Sequence, residues 1–413
     1  MNIQETFDAL IENEQIGKAI AFAKADHDNS IKEHKEFIMC ESPTFNEKKR
    51  AAMYAERLKD NGIDDVVLDD YVNVYGYRRG TGNGPTVLVE AHMDTVFPFG
   101  SVKEIRDENG IMYAPGCTDD TRGMTAVLAA LRAMNEAGIK TKGDIIFAGT
   151  SREEGMGGLG GMRDLIKYGP KADTSISVDG ASTEHITYQA TGFKTYKVVF
   201  KGIGGHAYCD FGDMANPLHA AARAVAKIAD FEVPKEPKTT FCVSNFHAGN
   251  DAGIHAIVPE ATIKFNIRSD SQEILDNLEK RCFAAIQEAC DEETARWGKD
   301  TITWISEKYV DVPAGPQDPH TPVVEAALIA GRYFTPEENK DKVELSKGGC
   351  VNGNMAIGAG IPCVTIGGGP LNGKVHSLDE YFPYTEAYRL PQEIVVLLCM
   401  AAGVEGICDS IIR

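Results

Sequence analysis

Thr86-Val-Leu-Val-Glu-Ala-His-Met-Asp94 decides the reading of this chain. Its apolar start is a buried-type strand. Its end offers an imidazole and a carboxylate two residues apart, a spacing that puts both on one side of extended backbone. Downstream the rhythm continues: Gly123 to Ala137 has the spacing of an apolar helix, and Asp144-Ile-Ile-Phe-Ala reads as a second strand. Leu159 to Tyr168 is a further helix and Thr174-Ser-Ile-Ser-Val a third strand. Such alternation predicts an α/β domain around a mixed, largely parallel sheet. Upstream, residues 3–24, 29–40 and 46–61 have helical spacing, and Gly62 closes the last of them.

After Gly180 the rhythm changes. Phe193–Phe200 alternates like a half-exposed strand, Pro217–Phe231 is helical, and Thr239–Phe246 and Ala261–Ile267 are extended. Ser271–Ala295 is a long amphipathic helix and Thr301–Ser306 a last strand. That β-α-β-β-α-β order is the ferredoxin-like α+β pattern. Pro313-Ala-Gly-Pro reads as a linker, and the α/β rhythm returns with a helix near 322–332, a strand at 363–366 and a helix near 391–404. The expected organisation is one discontinuous α/β domain, 1–183 with 312–413, and a second domain inserted at 184–311.

The length of 413 residues suits two or three domains. With 61 acidic against 42 basic residues the net charge is −19, which repels phosphate backbones and anionic lipid. Nucleic acid and membrane are therefore not expected partners. The longest apolar run, Ile394–Ala402, is far short of the ~20 residues of a membrane span. The opening MNIQETF has no cationic segment leading into an apolar one, and the ten cysteines include no Cys-x-x-Cys pair. Reduced thiols and a cytoplasmic location are expected.

Chemistry gathers where the predicted strands end, the place where open α/β sheets collect ligands. His92-Met-Asp94 pairs a metal-capable imidazole with a carboxylate able to steady it. Asp119-Asp120 precedes the apolar helix, Ser151-Arg-Glu153-Glu154 follows the second strand, and Val178-Asp179-Gly180 ends the third. Lys374-Val-His376-Ser-Leu-Asp-Glu380 follows the glycine-rich stretch Gly367–Gly373. Each has an ordinary reading alone: a helix cap for the Asp pair, an exposed turn for the Glu pair, an Asp-Gly turn for Asp179. Together they supply two imidazoles and several carboxylates, a set suited to two divalent ions that share a bridging carboxylate. Metal-assisted hydrolysis also needs a carboxylate that moves protons, which explains two adjacent glutamates.

In this order the clusters resemble the dinuclear-zinc peptidase family of peptidase T, bacterial glutamate carboxypeptidase, acetylornithine deacetylase and aminoacylase. The match runs from about Glu90 to Glu380, and Ile186–His206 resembles the opening of that family's lid and dimerisation domain. The resemblance implies two Zn²⁺ per subunit, with Co²⁺ or Mn²⁺ as possible substitutes. His92 and Asp179 would hold one ion, Glu154 and His376 the other, and Asp119 would bridge. The spacing to Gly123 in peptidase T-like members selects Asp119 over Asp120. Asp94 would orient His92, and Glu153 would be general base and then acid. In the insert, His206 resembles the lid histidine that stabilises an oxyanion in the partner subunit. Arg268 resembles the arginine that pairs with a substrate carboxylate. A homodimer through the insert is implied.

The expected activity is hydrolysis of small peptides, tripeptide aminopeptidase-like or glutamate carboxypeptidase-like. The wording around Asp119–Gly123 and Val178–Gly180 lies closer to the peptidases than to the deacylases. An N-acyl amino acid amidohydrolase is the alternative. An inactive metal-binding relative is a third reading, set against by the filled base and ligand positions. A two-metal phosphoesterase lacks a phosphate cradle here. Two departures bear on specificity: His255 stands where relatives carry Asn, and Gly348-Gly349-Cys350 replaces Gly-Gly-Thr or Gly-Gly-Ser. Cys117 is read as a packed thiol.

Overall fold

A computed structural model describes residues 1–180, 182, 184–297, 302–369 and 373–412. Thr183 and Thr301 at expected boundaries, and Pro370-Leu-Asn372 of the glycine-rich stretch, lie outside the described residues. The chain divides into two compact units, Met1–Ala190 with Gln317–Arg413, and Thr191–Pro316.

The first unit is built on an eight-stranded mixed sheet in the order 67–68, 74–78, 145–150, 87–92, 174–178, 363–366, 185–187, 344–346. Four neighbouring strands, Ile145–Thr150, Val87–His92, Thr174–Val178 and Cys363–Ile366, run parallel. Every residue in them is buried, the polar Glu90, Thr174, Ser175 and Ser177 included, as in a sheet covered on both faces. Chain order reverses across Val87–His92: the next strand lies on one side and the one after on the other. That reversal opens a crevice at the carboxyl ends, where an open sheet takes its ligand.

Helix Thr121–Glu136 packs over Val87–His92 and carries thirteen buried residues, Thr121–Leu131, Ala133 and Met134. The stretch expected as one helix over 3–24 is two, Ile3–Ile11 and Glu14–Ala25. Asn13 divides them, its side-chain oxygen accepting from Gln15 N (2.9 Å) and Ile16 N (3.3 Å), a cap that starts a new helix. The antiparallel strand Val74–Arg78 has Gly76 at its centre, a residue that reads as a breaker. Glycine is required there, because a Cβ would stand 2.3 Å from Ile63 Cγ2.

The entry and exit of the insertion are joined within the first unit. The Gln317 side chain donates to Tyr188 O (3.1 Å) and Cys363 O (2.6 Å) and accepts from Cys363 N (2.9 Å). Residues His185–Thr187 add a strand to this unit's sheet, so the division falls at Thr191.

The second unit is a four-stranded antiparallel sheet in the order 239–248, 260–269, 192–201, 303–312. Helices Pro217–Ala229 and Gln272–Trp297 pack on it. Numbered within the unit the order is two-three-one-four, the ferredoxin-like arrangement. Ile263, Phe265 and Ile267 meet Leu275, Leu278 and Cys282 in its core.

Candidate active site

Each parallel strand delivers its chemistry as it ends. His92 is the last residue of its strand and is 1 % exposed. Its Nδ1 lies 3.0 Å from Asp94 O and 3.6 Å from Asp94 Oδ1, both acceptors, so Nδ1 carries the proton and Nε2 is turned to the crevice. There Nε2 faces Asp119 Oδ1 at 2.8 Å. The other oxygen of Asp119 lies 3.0 Å from His376 Nε2, which also faces Glu154 Oε1 at 3.0 Å.

Asp94 is fully buried and ties three segments together. Its carboxylate accepts from Glu153 N (2.9 Å), Glu154 N (3.1 Å) and Thr44 Oγ1 (2.9 Å), which fixes the turn that presents both glutamates. Burial pushes the Asp94 carboxyl up, but His92 and those backbone N–H groups outweigh it, and the group stays below its ordinary value.

The two adjacent aspartates part company. Asp120 accepts from Gly123 N (3.0 Å) and His92 N (3.1 Å), capping helix Thr121–Glu136 while supporting the histidine strand. Asp119 keeps both oxygens for the two histidines. The loop that holds it is pinned by Glu380, whose carboxylate accepts from Gly116 N (3.0 Å), Thr118 N (2.7 Å) and Asp119 N (3.1 Å). Sequence reasoning quoted Glu380 but gave it no task. Its signal was weak, since a carboxylate near a histidine is commonplace until the fold brings it to a loop more than 250 residues away.

Oxygen and nitrogen ligand atoms of His92, Asp119 and Asp179 lie within 4.8 Å of one another, as do those of Asp119, Glu154 and His376, and of His92, Glu153 and Glu154. The fit to cations is chemical. An imidazole lone pair and a carboxylate oxygen repel unless a proton or a metal stands between them. In the metal-free arrangement protons must serve: hydrogen bonds to Asp119 and Glu154 push His376 up to about 10 against its burial. Burial raises Asp179 to about 7, with the Asp119 and Glu154 charges adding to it and His92 opposing. Burial likewise holds Glu153 well above its ordinary value, with Asp179, Glu154 and Asp119 reinforcing it against His92. Two divalent ions would replace those protons and relieve the crowding of like charges.

His206 and Arg268 belong to the second unit. His206 sits on a short strand opposite Ala256 and is exposed. Its Nδ1 accepts from Tyr208 N (3.2 Å) and Cys209 N (3.3 Å), which leaves the proton of the neutral ring on Nε2. Arg268 is exposed on Glu260–Ser269; its Nε donates to Asn266 Oδ1 (2.9 Å) and its guanidinium lies 5.1 Å from the Phe193 ring centre. His255 occupies the turn before Ala256, where its carbonyl accepts from Ala207 N at 2.8 Å. Cys117 is fully buried, and burial pushes its thiol up to about 12.

The family model for peptidase family M20/M25/M40 matches residues 88–401, a span that includes every one of these side chains except Thr44. The chain belongs to peptidase family M20/M25/M40. It is a metal-dependent hydrolase, of a family whose members include dinuclear metal-binding peptidases. Among curated relatives, the uncharacterized protein YqjE of Bacillus subtilis is 26% identical over 392 residues, covering 90% of this chain and 98% of that one. The succinyl-diaminopimelate desuccinylase of Burkholderia cenocepacia is 26% identical over 384 residues, covering 86% and 96%. The crystal structure of aminopeptidase PepT from Bacillus cereus superposes with a TM-score of 0.73 at 22% identity, covering 90% of this chain and 97% of that one. The fold of this M20 peptidase is therefore the one its sequence predicts, a mostly parallel sheet with the strand ends carrying the polar clusters. Among the described residues no helix is long and apolar enough to cross a membrane.

Proposed function

We propose that this chain is a dinuclear-zinc exopeptidase that cleaves small peptides, in the manner of a tripeptide aminopeptidase or a glutamate carboxypeptidase. The observation that carries the reading is Asp119, whose two carboxylate oxygens face two different histidines at 2.8 and 3.0 Å. His92 and Asp179 would hold one ion, Glu154 and His376 the second, and Asp119 would bridge them. When bound, the metal pair polarises the scissile carbonyl and makes a water acidic enough to attack it.

Glu153 takes the proton of the attacking water and returns it to the departing nitrogen. Burial and the neighbouring carboxylates raise its proton affinity above that of an ordinary glutamate, which suits a group that must both accept and donate a proton. Asp94 holds the His92 tautomer and the Glu153–Glu154 turn. His206, with its proton on Nε2, is the donor assigned to the carbonyl oxygen, in a homodimer formed through the Thr191–Pro316 unit. Arg268 pairs with the free carboxylate of the substrate. The acidic surface and the scattered, unpaired cysteines support a cytoplasmic setting.

One observation favours a second reading. The similarity to a succinyl-diaminopimelate desuccinylase supports removal of an N-acyl group from an amino acid by the same machinery. A single experiment separates the two. The zinc-loaded protein meets one pool of di- and tripeptides, glutamyl-terminated peptides and N-acetyl and N-succinyl amino acids, read by mass spectrometry beside a chelated control. Chelator-sensitive loss of peptides, with fragments that reveal the cut end, supports the peptidase. Loss of the N-acyl compounds alone transfers the assignment to the deacylase. No turnover by a zinc-bound protein overturns both in favour of an inactive relative.

A further inference from the structure

Three side chains at every third position, Thr44, Glu47 and Arg50, reach the active-site turns from a segment that precedes the matched family span of 88–401. Each takes hold of a different part. The Thr44 hydroxyl donates to Asp94 Oδ2 at 2.9 Å, the oxygen that also accepts from Glu154 N. The Glu47 carboxylate is buried and accepts from Phe45 N (2.9 Å) and from Arg152 N (3.0 Å), the amide just before Glu153. Arg50, on helix Lys48–Asp60, donates from Nη1 to Met93 O at 2.8 Å, in the peptide that joins Met93 to Asp94.

Arg50 is the unusual member. Its side chain is fully buried, and its other two nitrogens also donate to backbone carbonyls. Nε bonds Cys40 O (2.9 Å) and Nη2 bonds Phe37 O (3.1 Å), at the carbonyl end of helix His27–Met39. Taking a charge out of water to hold neutral carbonyls is unfavourable in itself, and a lysine could not reproduce a fork that spans three of them. What the fork achieves is placement. Met93 N donates to Thr150 O (2.7 Å), so with Arg50 on its carbonyl the residue between His92 and Asp94 is held at both ends. That sets where Asp94 O meets His92 Nδ1 and where the Asp94 carboxylate meets the Glu153 and Glu154 amides.

We infer that Thr44, Glu47 and Arg50 are positioning residues for the metal centre, and that Arg50 sets the His92–Asp94 turn on which a metal ligand and the general base both depend. For zinc the inference rests on the proposed dinuclear reading; for the turns it rests on the hydrogen bonds alone. The bland alternative is that Arg50 only ties down helix His27–Met39. Arg132 provides the comparison, because it anchors the same helix through Asp26 (2.8 Å), Ser30 (3.0 Å) and Glu33 (2.9 Å) and bonds neither turn.

The test compares full-length wild type with Arg50→Met, Arg132→Met and Thr44→Val, the last a change that removes one hydroxyl and keeps the side-chain shape. Amide hydrogen exchange is read by mass spectrometry on the chelated proteins, and zinc affinity by competition with a chromogenic chelator. Arg50→Met should exchange at least tenfold faster than wild type in peptides over 92–95 and 152–154. It should also bind zinc more weakly, by the roughly 10–100-fold typical of lost support to metal ligands. Thr44→Val should move both readouts the same way by less. Arg132→Met should keep wild-type exchange in those peptides and wild-type zinc affinity, whatever its melting temperature. Equal losses in Arg50→Met and Arg132→Met, or wild-type behaviour of Arg50→Met, overturn the inference. If Arg50→Met does not fold, Thr44→Val decides, and wild-type exchange with wild-type zinc affinity overturns it. Faster exchange in the two turns, in a protein whose wild type binds no zinc, supports the positioning role and overturns the dinuclear reading instead.

Discussion

His376 Nε2 stands 3.0 Å from Asp119 Oδ2, although 257 positions separate the two residues. The pair joins the segment after the insertion to the segment before it, and the metal cluster exists only when both are in place. Consequences for single residues follow from how each is held.

Replacing Glu153 by Gln keeps the side-chain shape and removes the group assigned to proton transfer. Turnover should fall by roughly 10²–10⁴-fold, the range for losing a general base, while metal content by plasma emission stays that of wild type. Near wild-type turnover would show that another group moves the proton.

The aspartate pair separates two tasks. Asp119→Asn should lower metal stoichiometry, because one of the two oxygens facing the histidines becomes an NH2 group that cannot ligate, and cost more than the roughly 10–100-fold typical of groups one step removed from a metal. Asp120→Ala should keep the metal and lose about 1 kcal/mol of stability through the lost helix cap. Metal analysis and urea unfolding of both variants give the check, and the opposite pattern would exchange the roles.

Glu380 holds three backbone N–H groups of the Asp119 loop. Glu380→Ala strands them, and at about 1–3 kcal/mol for a buried unpaired donor the variant should melt well below wild type and bind metal weakly. Glu380→Gln retains an acceptor oxygen and should lie between them. A Glu380→Ala protein with wild-type melting temperature and metal content would mean the loop holds itself.

Stability should carry a pH signature from Glu393. Burial raises its folded-state value from 4.5 to about 8, so between those values the folded protein binds the proton that the unfolded chain releases. The sign is therefore loss of stability as pH rises through that window, at most about 1.4 kcal/mol per pH unit for one group. Glu393→Gln has nothing to ionise, and its advantage in urea midpoint should grow from pH 5 to pH 8 and then level. A constant difference across pH would place the carboxyl in contact with water or a partner.

Removing metal should destabilise the fold as well as silence it, since Asp119, Glu153, Glu154 and Asp179 would be left crowded without cations. The melting temperature should drop on chelation and recover with zinc in a concentration-dependent way, because a ligand of the native state stabilises by mass action. Identical melting with and without chelator would argue that the cluster holds no tightly bound ion.

Much of this was legible from residue patterns. Val87–His92 and Thr174–Val178 announce themselves as short β-branched and apolar stretches between helical ones, and the polar residues that follow them stand at the crevice by topology alone. The helix break at Asn13 was not legible, since asparagine inside apolar spacing looks like an exposed helical position until its side chain turns to cap. Gly76 hid a strand because its reason is the nearby Ile63 side chain, a tertiary fact. Glu380 and Glu393 were silent for the same cause: one matters through backbone N–H groups far away in sequence, the other through burial that only the folded chain supplies. Thr44, which steadies Asp94, carried no local signal at all.

The seam made by Gln317 has an evolutionary meaning. One side chain fastens the point where the chain returns, bonding Tyr188 beside the point of departure and Cys363 on a core strand. The unit that carries the metal ligands is thus sealed at the place where a foreign sequence enters it. Exchange of Thr191–Pro316 for an insert of another size would leave the Asp119–His376 pairing in place, so the metal-ligand set can persist while the unit that carries His206 and Arg268 changes.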